Sequence, residues 1–513
     1  MPTDFVPRTR RVFALVVACV SALMLATGCS DDTPSGGTSS SVSPTGAPST
    51  ASASTTTIAR PAGPAADLSE SLVGGSGAFI GAGSPAALDD ADFVEEEFVA
   101  SGTATSYRAE GELTGDGMWT FAPEGEAEYR TRVLVRRPAD PESFSGTVLI
   151  EWLNVSGGVD ANPDYASLEE EILRQGHVWV GVSAQRIGVE GGPVLVSAPG
   201  TGDLAGKGLK ALDPDRYGDL VHPGDGFAFD IYTQVARAVR SGGLADVAPE
   251  VVLAVGESQS AIALVTYYNG VQPLTLAFDG FFVHSRGAAG LPLVEPGAYA
   301  DLAGSIGGGP QLFRSDLAAP ILELQAEGDI VGVLNSLGAR QDDSATFRLW
   351  EVAGTAHADA RLVGAIADNL DCGVAINDGP LHVVAKAGLR ALDVWVHDGV
   401  EPPTAPRIEI SDGAPASVER DELGVALGGI RTPAVDVPIE VLSGEPGPTG
   451  GVICILLGST TPLTPDQIAQ RYESAAAYEK AYEASLDAAV AAGFVLEEDR
   501  DAMHAYSDAS LVG

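Results

Sequence analysis

The sequence is poor in positive charge. Among its 513 residues, 29 lysines and arginines stand against 70 aspartates and glutamates, which gives a formal net charge of −41 at pH 7. A surface of this sign repels phosphate backbones, and beyond the N-terminus no basic cluster interrupts it. The charge therefore argues against nucleic acid as a partner. It says little about a small substrate, although anionic polymers would approach slowly.

Cysteine is also scarce, since the chain contains only four. Cys19 and Cys29 lie in the N-terminal segment, which leaves Cys372 and Cys454 for the folded part. In an oxidising compartment these two residues can form a disulfide. Two isolated buried thiols are the alternative, because the sequence does not show whether their Cα atoms come within reach.

The apolar run near the N-terminus is too short to span a bilayer as a permanent helix. It covers residues 12–25, follows three arginines, and is followed closely by Cys29 in the segment Leu-Ala-Thr-Gly-Cys. This pattern predicts an export signal at residues 1–29, for either the general secretory or the twin-arginine route. Its end resembles the lipobox of bacterial lipoproteins, which implies an extracytoplasmic protein anchored to the cell membrane by a lipid on Cys29. An ordinary cleaved secretory peptide is the alternative.

The next segment, residues 30–65, consists mainly of Ser, Thr, Gly, Pro and Ala. It cannot bury enough apolar surface to offset its ordering entropy, so we predict a flexible tether. The whole chain is 45% hydrophobic and 19% charged, a globular composition whose length allows one large domain or two. We assign residues 66–513 to one folded domain.

The folded part alternates between strand-like and helix-like segments. Strands are predicted at residues 93–100, 129–136, 147–152, 177–183, 251–255, 276–283, 321–325 and 347–352, and helices at residues 164–175, 227–240, 259–268 and 381–397. This succession predicts an α/β fold with a mostly parallel, twisted sheet and helices on both faces. Residues 463–508 contain a capping box and a helical run, which predict a C-terminal helical extension.

The segment Gly256-Glu257-Ser258-Gln259-Ser260 lies between a predicted buried strand and a predicted helix. In this context a serine can project from a sharp strand-to-helix turn as a nucleophile. Ser260 stands where the G-x-S-x-G pattern has its second glycine, and its small volume makes the variant tolerable. A Gly/Ser loop without a function is the alternative.

A nucleophilic serine needs a base that is held by an acid. In α/β-hydrolase sheets the chain order is serine, acid, histidine, which excludes the three histidines that precede the serine or follow it too soon, His177, His222 and His284. Three others lie on a helical stretch or near the C-terminus, namely His382, His397 and His504, which leaves His357 in the loop after residues 347–352. A structural histidine is the alternative. The acid should follow the strand at residues 321–325, where Asp329 is the better placed carboxylate and Glu327 the alternative.

An acyl-transfer site also needs backbone N–H groups for an oxyanion. Gln259, the residue after the nucleophile, is predicted to supply one. The loop after residues 147–152 is predicted to supply the other, with Asn154 as the donor.

Seven segments carry a resemblance to a known family. They are EWLNVSGG (151–158), VGVSAQRIGV (180–189), RYGDLVHPGD (216–225), GESQSA (256–261), FFVHSRG (281–287), RLWEVAGTAHAD (348–359) and GGIRTPAVDVP (428–438). In these segments the chain resembles a bacterial family of large, exported, mostly uncharacterised α/β-hydrolase-domain proteins. The resemblance implies an α/β-hydrolase fold and esterase-like activity on an unsettled substrate. It also suggests pocket-wall roles for residues 284–286 and 429–431.

The sequence thus predicts a serine hydrolase that cleaves small or lipid-like carboxylic esters at the cell surface. Ser258 would attack, His357 would move the proton and Asp329 would hold the imidazole, so no metal or organic cofactor is required. Residues 187–222 and 285–319, together with the C-terminal helices, are expected to form lids. A thioesterase or a peptidase would use the same residues, and a non-catalytic ligand-binding lipoprotein of the same fold is the alternative from another class.

Overall fold

The computed structural model describes residues 60–81, 88, 91–197, 202–244, 247–449 and 451–513. Its central element is a nine-stranded sheet with the strand order β1-β2-β3-β5-β4-β6-β7-β8-β9. These strands are β1 (Asp67–Ser71), β2 (Phe93–Ala109), β3 (Phe121–Pro138), β4 (Thr147–Trp152), β5 (Val178–Val182), β6 (Val251–Glu257), β7 (Gly280–His284), β8 (Ile321–Ala326) and β9 (Phe347–Val352). A separate two-stranded sheet pairs β10 (Glu440–Ser443) with β11 (Ser459–Pro462).

Most of the large sheet is parallel. Strands β5, β4, β6, β7, β8 and β9 pair in parallel with one another, whereas β1, β2 and β3 form an antiparallel edge, and β3 is also antiparallel to β5. The predicted class, a mostly parallel sheet of an α/β protein, is therefore confirmed. Because neighbouring parallel strands end at the same edge of a sheet, the loops after β4, β6, β8 and β9 meet there.

Helices cover both faces of this sheet. They are α1 (Pro163–Gln175), α2 (Arg186–Glu190), α3 (Gly208–Leu212), α4 (Pro214–Tyr217), α5 (Ala228–Arg240), α6 (Gln259–Thr266), α7 (Gln272–Thr275), α8 (Leu302–Ile306), α9 (Glu327–Ile330), α10 (Ala360–Val363), α11 (Leu381–Asp398), α12 (Pro433–Asp436), α13 (Pro465–Arg471), α14 (Ala475–Ala491) and α15 (Arg500–His504).

Successive residues of the central strands face opposite sides of the sheet. In β4, Val148 and Ile150 pack with residues of α5 and α6 in one core, while Leu149 packs with residues of α1 and α11 in the other. Since both faces are covered, every residue of β4 and β6 is buried. Strands in this position read as continuous apolar runs, which explains why the sequence pattern located them well.

Several elements differ from their predictions, since β2 and β3 extend well beyond residues 93–100 and 129–136, and two further elements differ in their bounds or division. The strand predicted at residues 276–283 is β7, Gly280–His284, because the helix before it continues through a π-helical turn, Tyr267–Val271, into α7. That helix ends at Leu276, whose φ of 45° turns the chain out of it. The C-terminal helical run is divided, since α14 has a separate N-terminal cap in which Ala477 donates its backbone N–H to the Ser474 hydroxyl at 3.2 Å.

The predicted signal peptide, with Cys19 and Cys29, lies outside the described residues, as does most of the predicted tether. At the end of the tether, Arg60 donates to the carbonyl oxygen of Leu276 at 3.1 Å and forms an ion pair with Asp279. Within the described ranges, we find no helix with the length and apolar character needed to cross a membrane.

Cys372 and Cys454 form a disulfide, with their Cα atoms 5.6 Å apart. Both residues are buried with Leu457 in a small apolar cluster. Of the two alternatives that the sequence left open, the structure has the bridge rather than two isolated thiols. The bridge joins chain segments that lie 82 residues apart.

The double substitution Cys372→Ala and Cys454→Ala should lower the free energy of unfolding by about 2–4 kcal/mol, because a cross-link over a long loop restricts the unfolded chain. Urea unfolding of both proteins under oxidising conditions measures the difference. Dithiothreitol should destabilise the wild-type protein and leave the double variant unchanged. Equal unfolding midpoints for the oxidised wild type and the variant would contradict a stabilising bridge.

Candidate active site

The candidate nucleophile lies at a sharp turn between β6 and α6. Ser258 has φ 62° and ψ −118°, a conformation that residues other than glycine rarely adopt. Its N–H donates to the carbonyl oxygen of His284 at 2.9 Å, which ties the turn to the end of β7. The Ser258 side chain is half-buried and lines the cavities described below.

Small residues on both sides of the nucleophile permit this turn. A Cβ on Gly256 would lie 3.0 Å from the backbone carbon of Ser260, so a larger residue would push strand and helix apart. Ser260 is buried and donates from Oγ to the carbonyl oxygen of Glu257 at 2.8 Å. The side-chain amide of Asn154 donates to the same oxygen at 3.0 Å. The serine at the second glycine position therefore braces the turn.

Side chains from three separate loops form a hydrogen-bonded chain. Nε2 of His357 lies 2.8 Å from Oγ of Ser258, and Nδ1 of His357 lies 2.7 Å from Oδ1 of Asp329. In the tautomer with hydrogen on Nδ1, the imidazole donates to Asp329 and accepts from the Ser258 hydroxyl. The second carboxylate oxygen of Asp329 accepts the N–H of Ala326 at 2.7 Å, which fixes the orientation of the acid. The structure thus brings together the three residues that the sequence analysis selected.

Glu327, the alternative acid, makes different contacts. Its carboxylate forms an ion pair with Arg420 at 2.6 Å and accepts the N–H of Gly354 at 2.7 Å. Gly354 precedes His357 in the same loop, so Glu327 holds the loop rather than the imidazole. Of the two predicted acids, Asp329 is the one that hydrogen-bonds to His357.

Two backbone N–H groups near the turn were predicted to bind an oxyanion, and they differ in whether they already have a hydrogen-bond acceptor. The N–H of Gln259, at the start of α6, has no acceptor within the described part of the chain. The N–H of Asn154 donates to the carbonyl oxygen of Ala161 at 2.8 Å. The prediction of Asn154 as an oxyanion donor is therefore wrong, because its N–H is already paired and its side chain braces the turn.

Two other groups of the same loop have no hydrogen-bond partner among the described residues: the N–H of Gly157 and the hydroxyl of Ser156. Both residues line the larger cavity with the nucleophile. The loop is fixed against the turn, since the N–H of Val155 donates to Oε1 of Gln259 at 3.1 Å and Nε2 of Gln259 donates to Gln185 at 2.7 Å. This loop therefore keeps two donors available beside Ser258.

A buried group of charged side chains adjoins the turn. Nδ1 of His284 lies 3.1 Å from the carboxylate of Asp164 and 3.3 Å from that of Glu257. Glu151 accepts the N–H groups of Asp164 and Tyr165, at 3.2 and 3.0 Å, and so caps the N-terminus of α1. The sequence analysis missed this group. The available signal was a glutamate inside the buried apolar strand TVLIEW, because a buried carboxylate requires partners.

These charges shift the pKa values of one another. Burial alone would lower the pKa of His284, but the carboxylates of Glu257 and Asp164 outweigh it and raise this pKa to about 10. Burial raises the pKa of Asp164 to about 6 and that of Glu151 well above its usual range. At neutral pH, His284 is therefore an imidazolium held between carboxylates.

The ligand atoms of Asp164, Glu257 and His284 lie close enough together to hold a metal ion, and among the described residues no other group of three or more does so. Nδ1 of His284, however, is directed at both carboxylates. A protonated imidazole fits this geometry better than a metal ligand does, because a bound cation would compete with it for the same oxygens.

Two cavities open beside Ser258 and His357. The larger has a volume of about 600 Å³, and its walls include the charged residues Glu169, Glu257 and Arg361. The smaller has a volume of about 130 Å³, and aliphatic side chains form most of its wall. The two candidate catalytic side chains therefore lie between a wide cleft with a mixed lining and a small, almost wholly aliphatic cavity.

Insertions between the strands form much of these walls. From residues 187–222 and 285–319, where lids were predicted, the lining aliphatic side chains are Leu195, Val196, Leu204, Leu302 and Ile306. Residues 453–456, beside the disulfide, also contribute and were not predicted. The predicted role of the C-terminal helices in the lids is wrong, because no described residue of α13, α14 or α15 lines either cavity. Helix α14 instead packs near α11 and α12.

Of the predicted pocket-wall segments, His284 lines a small cavity together with His357, but the two arginines make other contacts. Arg286 is buried in an ion pair with Glu323 at 2.9 Å, and Arg431 pairs with Asp436. Neither arginine lines a cavity that contains Ser258. Both therefore serve the packing of the fold around the site.

Comparisons with known proteins agree with this architecture. A family model described as "Alpha/beta hydrolase domain" matches residues 58–505. None of the curated proteins matches the chain. Solved structures that it resembles include a serine hydrolase without a lid from Xanthomonas campestris (14% identity, 56% of this chain and 94% of that one, TM-score 0.27). Another is a cold-adapted esterase from an Arctic intertidal metagenomic library (11% identity, 53% of this chain and 92% of that one, TM-score 0.27). A third is esterase Est22 (10% identity, 53% of this chain and 76% of that one, TM-score 0.28). At such identities and TM-scores, these three likenesses carry no argument about function.

The raised pKa of His284 predicts how stability depends on pH. The protonated form is favoured by folding, so its contribution is complete below a pH of about 6.5 and is lost as the pH rises towards about 10. The difference in unfolding free energy between wild type and His284→Gln should therefore shrink between pH 7 and pH 9, by up to about 1.4 kcal/mol per pH unit. Urea unfolding at several pH values measures it.

His382→Gln is the matched control for this experiment. His382 is also buried, but burial lowers its pKa to about 3, so it is neutral over the whole range tested. Its substitution should change stability by the same amount at each pH. A pH-independent effect of His284→Gln would contradict the buried imidazolium.

Proposed function

This chain belongs to the alpha/beta hydrolase domain family, and we propose that it is a serine hydrolase that cleaves carboxylic esters. The observation that carries the proposal is the continuous chain of hydrogen bonds from Ser258 through His357 to Asp329. This is the arrangement that a serine needs to become a nucleophile.

In the proposed reaction, Oγ of Ser258 attacks the ester carbonyl carbon while Nε2 of His357 takes the hydroxyl proton. Asp329 keeps the imidazole oriented and stabilises its protonated form. The tetrahedral intermediate collapses as His357 gives the proton to the leaving alcohol, and an acyl-enzyme on Ser258 remains. Water, deprotonated by His357, then attacks the acyl-enzyme and releases the carboxylic acid.

Hydrogen-bond donors that the protein holds in place stabilise the developing oxyanion. The free N–H of Gln259 at the start of α6 supplies the first, and the helix dipole supports it. The second comes from the 153–158 loop, in which the N–H of Gly157 and the hydroxyl of Ser156 are unpaired among described residues. The amide network between Val155, Gln259 and Gln185 keeps this loop at a fixed distance from the turn.

The proposal includes a location of the protein at the cell surface. The segment that ends in Cys29 supports export followed by lipidation, which would anchor the enzyme to the outer face of the cell membrane through the tether at residues 30–65. Small-molecule or lipid-like esters at that surface would then be the available substrates.

Ser258→Ala and Asp329→Asn test the catalytic roles. We expect each to lower kcat for p-nitrophenyl butyrate by about 10⁴-fold or more, because triad members act as a unit. A fluorophosphonate probe should label Ser258 in the wild-type protein, as shown by peptide mass spectrometry, and should leave Ser258→Ala unlabelled. Circular dichroism should show that both variants fold.

Glu327→Gln is the matched control, since it makes the same acid-to-amide change in a carboxylate that pairs with Arg420 instead of His357. It should reduce stability while fluorophosphonate labelling persists. A folded wild-type protein that neither hydrolyses esters nor reacts with the probe would instead be a ligand-binding protein of this fold.

Cys29→Ser tests the anchor. We expect the wild-type protein in the membrane fraction and the variant in the medium, because a serine hydroxyl does not accept the diacylglycerol that the thiol carries. Ester hydrolysis per molecule should be equal in both. Equal release of wild type and variant would indicate an ordinary cleaved secretory signal.

A further inference from the structure

We infer that the 130 Å³ apolar cavity is the acyl site, and that it accommodates acyl groups of up to about six carbons. The alcohol part of the ester then occupies the larger cleft, whose lining includes Glu169 and Arg361. This inference rests on the proposed function, since it names the class of ester that Ser258 would cleave.

The first observation is the contrast between the two cavities. Apart from residues at the reaction centre, the small cavity is lined by aliphatic side chains, among them Val196, Ile262, Ile306 and Leu334. The large cleft also has aliphatic walls, but these are interrupted by the charged side chains of Glu169 and Arg361. An alkyl chain in the small cavity leaves water for an almost wholly aliphatic surface, whereas a polar leaving group finds charged partners and water only in the large cleft.

The second observation is the position of the oxyanion donor. Gln259 lines the small cavity and is absent from the described lining of the large cleft. When the carbonyl oxygen faces the N–H of Gln259, the substituents of the carbonyl carbon diverge from the oxygen. One of the two substituents can then enter the small cavity, whose aliphatic walls suit the alkyl chain of the acyl group.

Volume sets the length of that chain. A cavity of 150 Å³ lined by aliphatic and aromatic side chains is known to hold benzene, which has six carbons. The cavity beside Ser258 is slightly smaller, at about 130 Å³. Butanoyl to hexanoyl chains would fill it. The exposed side chains of Val333 and Ile455 lie on its wall, so the rest of a longer chain would be exposed to water.

Helix α8 supplies a residue through which this volume can be changed. The side chain of Asp301 caps the helix by accepting the N–H of Gly304 at 2.9 Å, and Leu302 packs in the core. Ile306, at its end, is only partly buried and lines the small cavity. A substitution at Ile306 should therefore alter the acyl site at a small cost in stability.

The test measures kcat/KM for p-nitrophenyl esters from acetyl to dodecanoyl. For the wild type we expect about a fourfold gain per methylene up to hexanoyl and no gain beyond it. Ile306→Phe should move the optimum to shorter chains and Ile306→Ala to longer ones. Leu204→Ala, which enlarges only the larger cleft, should leave the optimum unchanged. A steady rise to dodecanoyl, or an optimum unaffected by both Ile306 variants, would overturn the inference.

A second readout separates this inference from the proposed function. Alkylphosphonofluoridates with chains of two to ten carbons react with an activated serine without any ester turnover. Failure of all of them to label Ser258 in the folded protein would reject the serine hydrolase and the acyl site together. Labelling at rates independent of chain length would reject the acyl site alone. Rates that rise to about six carbons and shift with Ile306→Phe would support both.

Discussion

The active site depends on one residue held in a backbone conformation that its side chain disfavours. With φ 62° and ψ −118°, Ser258 bears a local cost of about 1–3 kcal/mol. The compensating contacts come from different parts of the chain: the carbonyl of His284 takes its N–H, while Ser260 and Asn154 both donate to the carbonyl of Glu257. A relaxed backbone would turn Oγ away from the imidazole, and the hydrogen-bonded chain would be lost.

His284, whose backbone helps to hold the turn, also balances the negative charge of Glu257 beside it. Glu257 precedes the nucleophile and is buried, so an unpaired carboxylate there would oppose the negative charge that develops during acyl transfer. His284 lies against it as an imidazolium and shares Asp164 as a second partner. The backbone of His284 positions Ser258 while its side chain compensates Glu257. One residue thereby links the geometry of the turn to its electrostatics.

Sequence reasoning succeeded where one local pattern was sufficient. Buried parallel strands appear as apolar runs, and Ser258 lies in a strand-to-helix motif, after which chain order selects His357 and Asp329. It failed where a contact joins distant segments. No local signal shows that the N–H of Asn154 is paired with Ala161, or that Asp164 and Glu257 meet at His284. The cavity walls come from insertions without periodicity, so their facing residues could not be predicted either.

The disulfide has a consequence for the apolar cavity. Cys454 lies between Ile453 and Ile455, which line the walls beside the nucleophile, and its partner Cys372 belongs to a loop that follows His357 in the chain. One flank of the two cavities is thus joined covalently to the chain segment that follows α10. Until the two thiols are oxidised, apolar packing and backbone hydrogen bonds, such as that from the N–H of Ala358 to the carbonyl oxygen of Leu456, hold this flank, so the walls of the cavity become fully constrained only with oxidation.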